Sequence, residues 1–238
     1  MIILQFDDPY FHWGVLMVRS LALHEPDQRV LLDTVNLSPA QVRELRQAHP
    51  RAIVENDTTT WETTSPTQMV SRKPFVMQRA MTAYPGESWY GLFDADFLTR
   101  RPLPDLWSML DDRPAALFLT SGKWRGRVYR HLITPSGIVL VRPDGRALID
   151  NWAKWHRHDA PLGSKEPGAW GWSQLTLLEA KRETPLRYAV ISMRVFADLD
   201  FSSEAAIWSA HVKAAWKQRY YQRFLAEYDR QRRARPPS

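Results

Sequence analysis

Trp89-Tyr90-Gly91-Leu92-Phe93-Asp94-Ala95-Asp96-Phe97-Leu98-Thr99 is the stretch on which the fold turns. The aromatic-apolar run up to Phe93 has the composition of a buried strand, and the two carboxylates stand where such a strand would leave its sheet. In an extended chain, residues i and i+2 project to the same side, so Asp94 and Asp96 can converge on one cation. Hard oxygen ligands in that arrangement suit Mg²⁺ or Mn²⁺, ions commonly shared with phosphates. The structural alternative is a pair of carboxylates capping the neighbouring turn and helix, because Asp-x-Asp is frequent at turns.

Outward from this motif, short apolar runs alternate with helical patterns. Residues 2–6, 29–33, 52–55, 115–120, 138–141 and 188–191 read as strands. Helices are expected over 13–23, from Ser38-Pro39 onward, and over 74–83, 146–155 and 173–181. Ser38 suits an N-cap and Pro39 the first helical position. The polar stretch 56–72, the Gly- and Arg-rich stretch 121–130 and the His-, Gly- and Pro-rich stretch 156–168 read as loops. Residues 205–233 read as one long basic, aromatic helix or two shorter ones. Strands alternating with helices imply an α/β fold, a doubly wound and mostly parallel sheet flanked by helices. Ligands of such sheets bind beyond the carboxyl ends of the strands, where Asp7, Asp8, Asp94 and Asp96 all fall.

At 238 residues with 44% hydrophobic and 12% aromatic content, a single domain over 1–238 with a sizeable core is expected, its last part (about 205–238) a basic extension. The chain has no cysteine, which excludes disulfides and thiolate metal sites and fits a reducing, cytoplasmic setting. Met1 to Asp8 turns acidic at once and reads as an opening strand, not a signal peptide. No apolar stretch approaches the roughly 18 residues of a membrane span. The net charge of +6 favours an acidic or polyanionic partner. Lys213, Lys217, Arg219, Arg223, Arg230, Arg232, Arg233 and Arg235 concentrate that excess near the C-terminus. Such a segment is a solvated tail, an interfacial helix on the inner face of an anionic membrane, or a nucleic-acid contact.

Four segments resemble the GT-A glycosyltransferases, in particular the glycogenin and lipooligosaccharide galactosyltransferase group (glycosyltransferase family eight). Phe6-Asp7-Asp8-Pro9-Tyr10 is similar to that group's Asp-Asp-Asn-Tyr loop after the first strand. Leu92-Phe93-Asp94-Ala95-Asp96, with Pro102-Leu103 and Leu106-Trp107, is similar to its Asp-x-Asp strand and the turn that follows. Ser136-Gly137-Ile138-Val139-Leu140-Val141, then Trp152, is similar to its Asn-Ala-Gly strand, with Pro135 in place of the Asn. His211 and Lys217 keep its His-x5-Lys spacing, with Ala214 for its Gly and Gln218 for its Pro. Ser173-Gln174-Leu175 stands for its Asp-Gln-Asp.

The resemblance implies a GT-A fold and transfer of a sugar from a nucleotide-diphosphate sugar, a UDP-sugar first among them, to a hydroxyl acceptor. In its terms Asp94, Asp96 and His211 bind Mn²⁺ or Mg²⁺. Asp7, Asp8 and Tyr10 hold the nucleoside, Lys217 and Lys73 meet the phosphates, and Gln174 lies at the catalytic centre. The acceptor stays open: a glycan or lipid at an anionic membrane, or a modified base in DNA. Around Lys73, Arg72 and Arg79 are equally basic candidates. Asp159, Glu166, His156 and His158 are candidate general bases, and Trp152, Trp155, Trp170 and Trp172 are core residues or aromatic platforms for a sugar ring. Two competing readings are a non-catalytic nucleic-acid-binding protein and a nucleotidyltransferase. The first leaves the strand-embedded Asp pair unexplained, and the second calls for a Gly-rich loop after the first strand that is absent.

Overall fold

The computed structural model describes residues 1–58, 66–118, 120–124, 127–133, 136–159, 169–191, 197–198, 205–209 and 214–234. The chain runs β1 (Ile2–Asp7), α1 (Phe11–His24), β2 (Val30–Val35), α2 (Pro39–Ala48), β3 (Ala52–Asp57) and α3 (Pro66–Ala83). It continues through β4 (Tyr90–Asp94), β5 (Leu98–Thr99), α4 (Pro104–Ser108), β6 (Ala115–Phe118), β7 (Thr120–Trp124), β8 (Arg127–Ile133) and β9 (Ile138–Val141). The last elements are α5 (Arg146–Asp159), α6 (Ala169–Glu183), β10 (Tyr188–Ile191), β11 (Ala197–Asp198), β12 (Ile207–Trp208) and α7 (Ala214–Ala234).

Seven strands form the central sheet in the order β10-β6-β9-β4-β1-β2-β3. All neighbours are parallel except β9, which runs antiparallel to both β4 and β6. The expected mostly parallel, doubly wound sheet is therefore present. Strand alternation divides the core into two layers. Ile2, Leu4, Phe6, Leu32 and Phe93 pack with Val18 and Leu21 of α1 and Leu45 of α2. Ile3, Leu31, Leu92 and Val139 pack with Val76 and Met77 of α3, Trp152 of α5 and Leu177 of α6. Gly14 lets α1 seat on the first layer, because a Cβ there would fall 2.5 Å from the Phe6 ring.

Three elements differ from the sequence reading. The helix expected from residue 74 begins at Pro66, so Pro74 lies inside it and 66–72, read as part of a loop, is helical. Proline removes one backbone donor and normally ends a helix. Here both halves are anchored, the first by Arg72 and Lys73 to sheet carboxylates, the second by Val76, Met77 and Ala80 in the core. The stretch 121–130, read as a loop, contributes instead to the antiparallel ribbon β7–β8. Residues 205–209 are not helical. Ile207 and Trp208 form β12, antiparallel to β5 and parallel to β11, and bury fully enough that pairing overrides the local pattern. Ser38 does cap α2, accepting from the Gln41 N–H while the Gln41 side chain accepts from the Ser38 N–H. Among the described residues no helix is long and apolar enough to cross a membrane.

Candidate active site

The side of the sheet facing α3 changes character in one step. Ile53, Leu31, Ile3 and Leu92 form an apolar row across β3, β2, β1 and β4, and the next row is Glu55, Asp33, Gln5 and Asp94. The helix above supplies the counter-charges. Arg79 bridges Asp33 and Glu55, Arg72 joins Asp33 to Asp57, and Lys73 reaches Asp94. Among the three basic residues left open by the sequence, the structure thus sets Lys73 at the Asp pair and gives Arg72 and Arg79 to Asp33.

Asp94 ends β4, and its N–H donates to the Gly137 carbonyl at 2.8 Å. A Cβ on Gly137 would lie 2.8 Å from both Asp94 Oδ2 and Phe97 Cζ, so only glycine admits this approach. Lys73 Nζ lies 2.6 Å from Asp94 Oδ1 and 3.2 Å from the Ser136 carbonyl. Burial pushes the Asp94 carboxyl up from its ordinary value, with Lys73 opposing and the charge of Asp96 adding to the rise. Asp96 pairs with Lys217, Nζ to Oδ2 at 2.6 Å. Lys217 comes from the first turn of α7 and is only 5% exposed, its ammonium over the rings of Trp13 and Tyr221. The Tyr221 hydroxyl lies 2.8 Å from the Asp96 carbonyl oxygen, which ties α7 to the turn after β4.

Asp94, Asp96 and Lys73 open on a cleft of about 320 Å³ at the carboxyl ends of β1 and β4, with Lys217 behind Asp96 and outside the lining. Gln5, Asp7, Asp94 and Asp96 line it with Pro9, Tyr10, Met69, Val70 and Lys73. Asp7 is buried at the end of β1, whereas Tyr10 is 46% exposed. Burial, then the charges of Asp96, Asp7 and Asp94, raises the Tyr10 phenol above its ordinary value. The cleft therefore combines carboxylates and a lysine with apolar side chains and an aromatic ring that lies in the field of the carboxylates.

Of the residues singled out by sequence, Asp7, Tyr10, Lys73, Asp94, Asp96 and Lys217 are brought together. Asp8 is not: it is exposed, outside the cleft lining, and its Oδ1 accepts from Gln41 Nε2 of α2 at 2.6 Å. Gln174 sits partly buried on α6 and does not line the cleft. His211, Glu166, and the side chains of His158, Asp159, Trp170 and Trp172 lie outside the described residues. His156 is buried, its Nε2 2.9 Å from Thr176 Oγ1, and burial followed by the charge of Lys73 lowers it to about 4. It is a neutral interior imidazole, away from the cleft lining. Trp152 is core, its indole N–H directed at Ser173 and Thr176.

Among the described residues no three His, Cys, Asp or Glu side chains form a metal cluster. The donor set that is present, two carboxylates lining one cleft, nevertheless fits a hard divalent cation. The sequence reading passed over Gln5, Met69, Val70 and Tyr221. Gln5 had a signal, as a lone amide in the otherwise apolar run Ile2-Ile3-Leu4-Gln5-Phe6. Met69 and Val70 had none, because they lay in the stretch read as a loop.

No family model matches this sequence, and no curated protein does. Solved structures do match. The galactosyltransferase LgtC in complex with donor and acceptor sugar analogues aligns with a TM-score of 0.60 at 14% identity, over 95% of this chain and 96% of that one. A glycosyltransferase involved in glycosylation of the major capsid of PBCV-1 aligns at 0.58 and 14% identity, over 93% of this chain and 98% of the other. The glycosyltransferase GlyE of Streptococcus pneumoniae TIGR4 aligns at 0.61 and 10% identity, over 94% of this chain and 59% of its own. The chain has the GT-A fold of these proteins, the fold that the sequence resemblance implied.

Proposed function

We propose that this protein is a metal-assisted glycosyltransferase that moves a sugar from a nucleoside-diphosphate sugar to a hydroxyl acceptor. The observation that carries the reading is the cleft that Asp94 and Asp96 both line, each held at 2.6 Å by a lysine. Formal charges argue for a divalent ion. Asp7, Asp94 and Asp96 against Lys73 and Lys217 leave one negative charge in excess, and a diphosphate would meet net repulsion. A cation of charge +2 reverses that sign, which favours Mn²⁺ or Mg²⁺ on Asp94 and Asp96, with His211 as a further candidate ligand.

When bound, the ion supplies charge stabilisation to the departing diphosphate. The chain's own residues do the rest. Lys73 and Lys217 are fixed cations beside the carboxylates, and they balance charge as it develops on the leaving group. Tyr10, Met69 and Val70 offer flat apolar surface to a base, and Asp7 an acceptor for a base or ribose donor. Burial of Lys217 and the tight Gly137 contact hold the charged groups in place, which favours a preorganised site. On the acceptor side, exposed Trp216 and Tyr220 of α7, with Arg219 and Arg223 also exposed, suit an anionic acceptor or surface. Glycosyltransferase activity in the fold's neighbours supports the reaction class.

The experiment is incubation with a panel of nucleotide sugars and Mn²⁺, scoring release of free nucleoside diphosphate. Release from one sugar nucleotide, lost in Asp94→Asn and in Asp96→Asn, supports the proposal. Release that is equal in folded Asp variants, or in the presence of a chelator, defeats it.

A further inference from the structure

The Gln5 amide in the cleft has no counterpart among the described residues. In the row Glu55–Asp33–Gln5–Asp94, every carboxylate is matched by a basic side chain of α3. Gln5 alone in that row is not: its Nε2 is buried with no hydrogen-bond partner among the described residues. A buried amide left unpaired is destabilising, and such a group in a natural fold calls for a ligand, water or a functional reason. Gln5 lines the cleft, so its side chain borders the space of a bound molecule, and a turn of the carboxamide presents the buried Nε2 to it.

Its place in the cleft narrows what that molecule presents. Gln5 sits on β1, one strand away from Asp94 and on the side of β2. The cations suited to phosphates, Lys73 and Lys217, gather at Asp94 and Asp96. The remaining walls near β1 and the start of α3 are Tyr10, Met69 and Val70. Apolar and aromatic faces beside one amide and the Asp7 carboxylate suit a planar heterocycle whose edge carries hydrogen-bonding groups. We infer that Gln5 is a specificity-determining residue that pairs through its carboxamide with the edge of the donor's nucleobase. This rests on the nucleoside-diphosphate reading above and adds to it the residue that distinguishes one base from another. An amide both donates and accepts, so Gln5 pairs best with a base whose edge offers both functions in the matching order.

The test uses the full chain with Mn²⁺ and measures binding of UDP, GDP, CDP, ADP and inorganic pyrophosphate by calorimetry, together with thermal unfolding. Gln5→Met keeps length and continues the apolar face of Met1 and Ile3. The expected result is a loss of about three- to tenfold in affinity for the preferred nucleoside diphosphate, the range of one neutral hydrogen bond. Discrimination among the bases shrinks, and pyrophosphate binding is unchanged. The ligand-free variant melts about 2–4 °C higher, because an unpaired buried amide has been removed. Gln5→Asn, which keeps the amide but withdraws it by a methylene, shows the same loss of discrimination. Wild-type affinity and base preference in either folded variant overturns the inference, as does pyrophosphate binding that weakens in step with nucleotide binding. Failure of the wild-type protein to bind any nucleoside diphosphate is a different result, and it refutes the donor reading itself.

Discussion

Gly137→Ala probes the site through a single methyl group. The new Cβ would stand 2.8 Å from Asp94 Oδ2 and from Phe97 Cζ, where ordinary contact begins at 3.4 Å. The carboxylate and the ring must each withdraw by about 0.6 Å, or β9 must move away from β4. Asp94 has little room to yield, since its other oxygen is 2.6 Å from Lys73 and its N–H is bonded to the Gly137 carbonyl. Sites of this kind tolerate about 0.5 Å of misplacement, and about 1 Å costs on the order of a hundredfold in rate. The expected outcome is a fall of about ten- to a hundredfold in kcat/KM for diphosphate release, with a raised Mn²⁺ requirement. Overpacking costs about 1–3 kcal/mol of stability, so the protein still folds and melts several degrees lower. A folded Gly137→Ala protein with wild-type turnover and wild-type Mn²⁺ dependence would refute the claim that this carboxylate is positioned for chemistry.

Two other perturbations report on the buried charges. Lys217→Met leaves Asp96 without its partner and costs about 2 kcal/mol, less than the roughly 3–5 of a fully buried pair, because the Asp96 side chain keeps 28% exposure. Adding Asp96→Asn to Lys217→Met should recover part of that stability in urea unfolding but none of the activity; recovery of both would contradict the phosphate role. Acid should weaken the fold through His156, which is neutral inside the protein and is lowered to about 4. The unfolded chain binds this proton from about pH 6.5, so stability is intact above that value, declines as pH falls, and levels off below about 4. His156 accounts for a loss of about 2 kcal/mol by pH 5, read as the difference in unfolding free energy between wild type and His156→Gln at pH 7 and pH 5. Equal pH slopes in the two proteins would rule it out.

What was legible in the sequence divides along physical lines. The inner strands β1, β2, β4, β6 and β9 are buried on both faces, so their apolar composition alone marks them, and even the partly exposed edge strand β10 keeps enough apolar residues for 188–191 to coincide with it. The Ser38-Pro39 start of α2 is a local signal and held. Elements that exist only through distant pairing were not readable. β12 is two residues long and is defined by β5, far away in the chain. The first turns of α3 were hidden behind Pro74, whose local preference is overridden by ion pairs to three sheet carboxylates.

The site follows the same division. Asp94 ends β4 and Asp96 stands two residues on, in the turn after it, so the pair was legible as a motif although the segment joining them is not extended, and Lys217 carries a motif spacing. Arg72 and Lys73 are adjacent on a helix and point about 100° apart, so which of them meets Asp94 depends on the rotation of α3, set by tertiary contacts. Asp7 and Asp8 are neighbours at a strand end and cannot both face the cleft. Strand alternation places Asp7 with Gln5 and leaves Asp8 to Gln41, a separation that the spacing alone implies.

The most direct measurement is the affinity of the best-binding nucleoside diphosphate with and without Mn²⁺, in the wild-type protein and in Asp94→Asn/Asp96→Asn. The account requires at least a tenfold tightening by Mn²⁺ in the wild type and none in the double variant. A wild type indifferent to the ion, or a folded double variant that still responds to it, would contradict the idea that these two aspartates hold the cation that holds the donor.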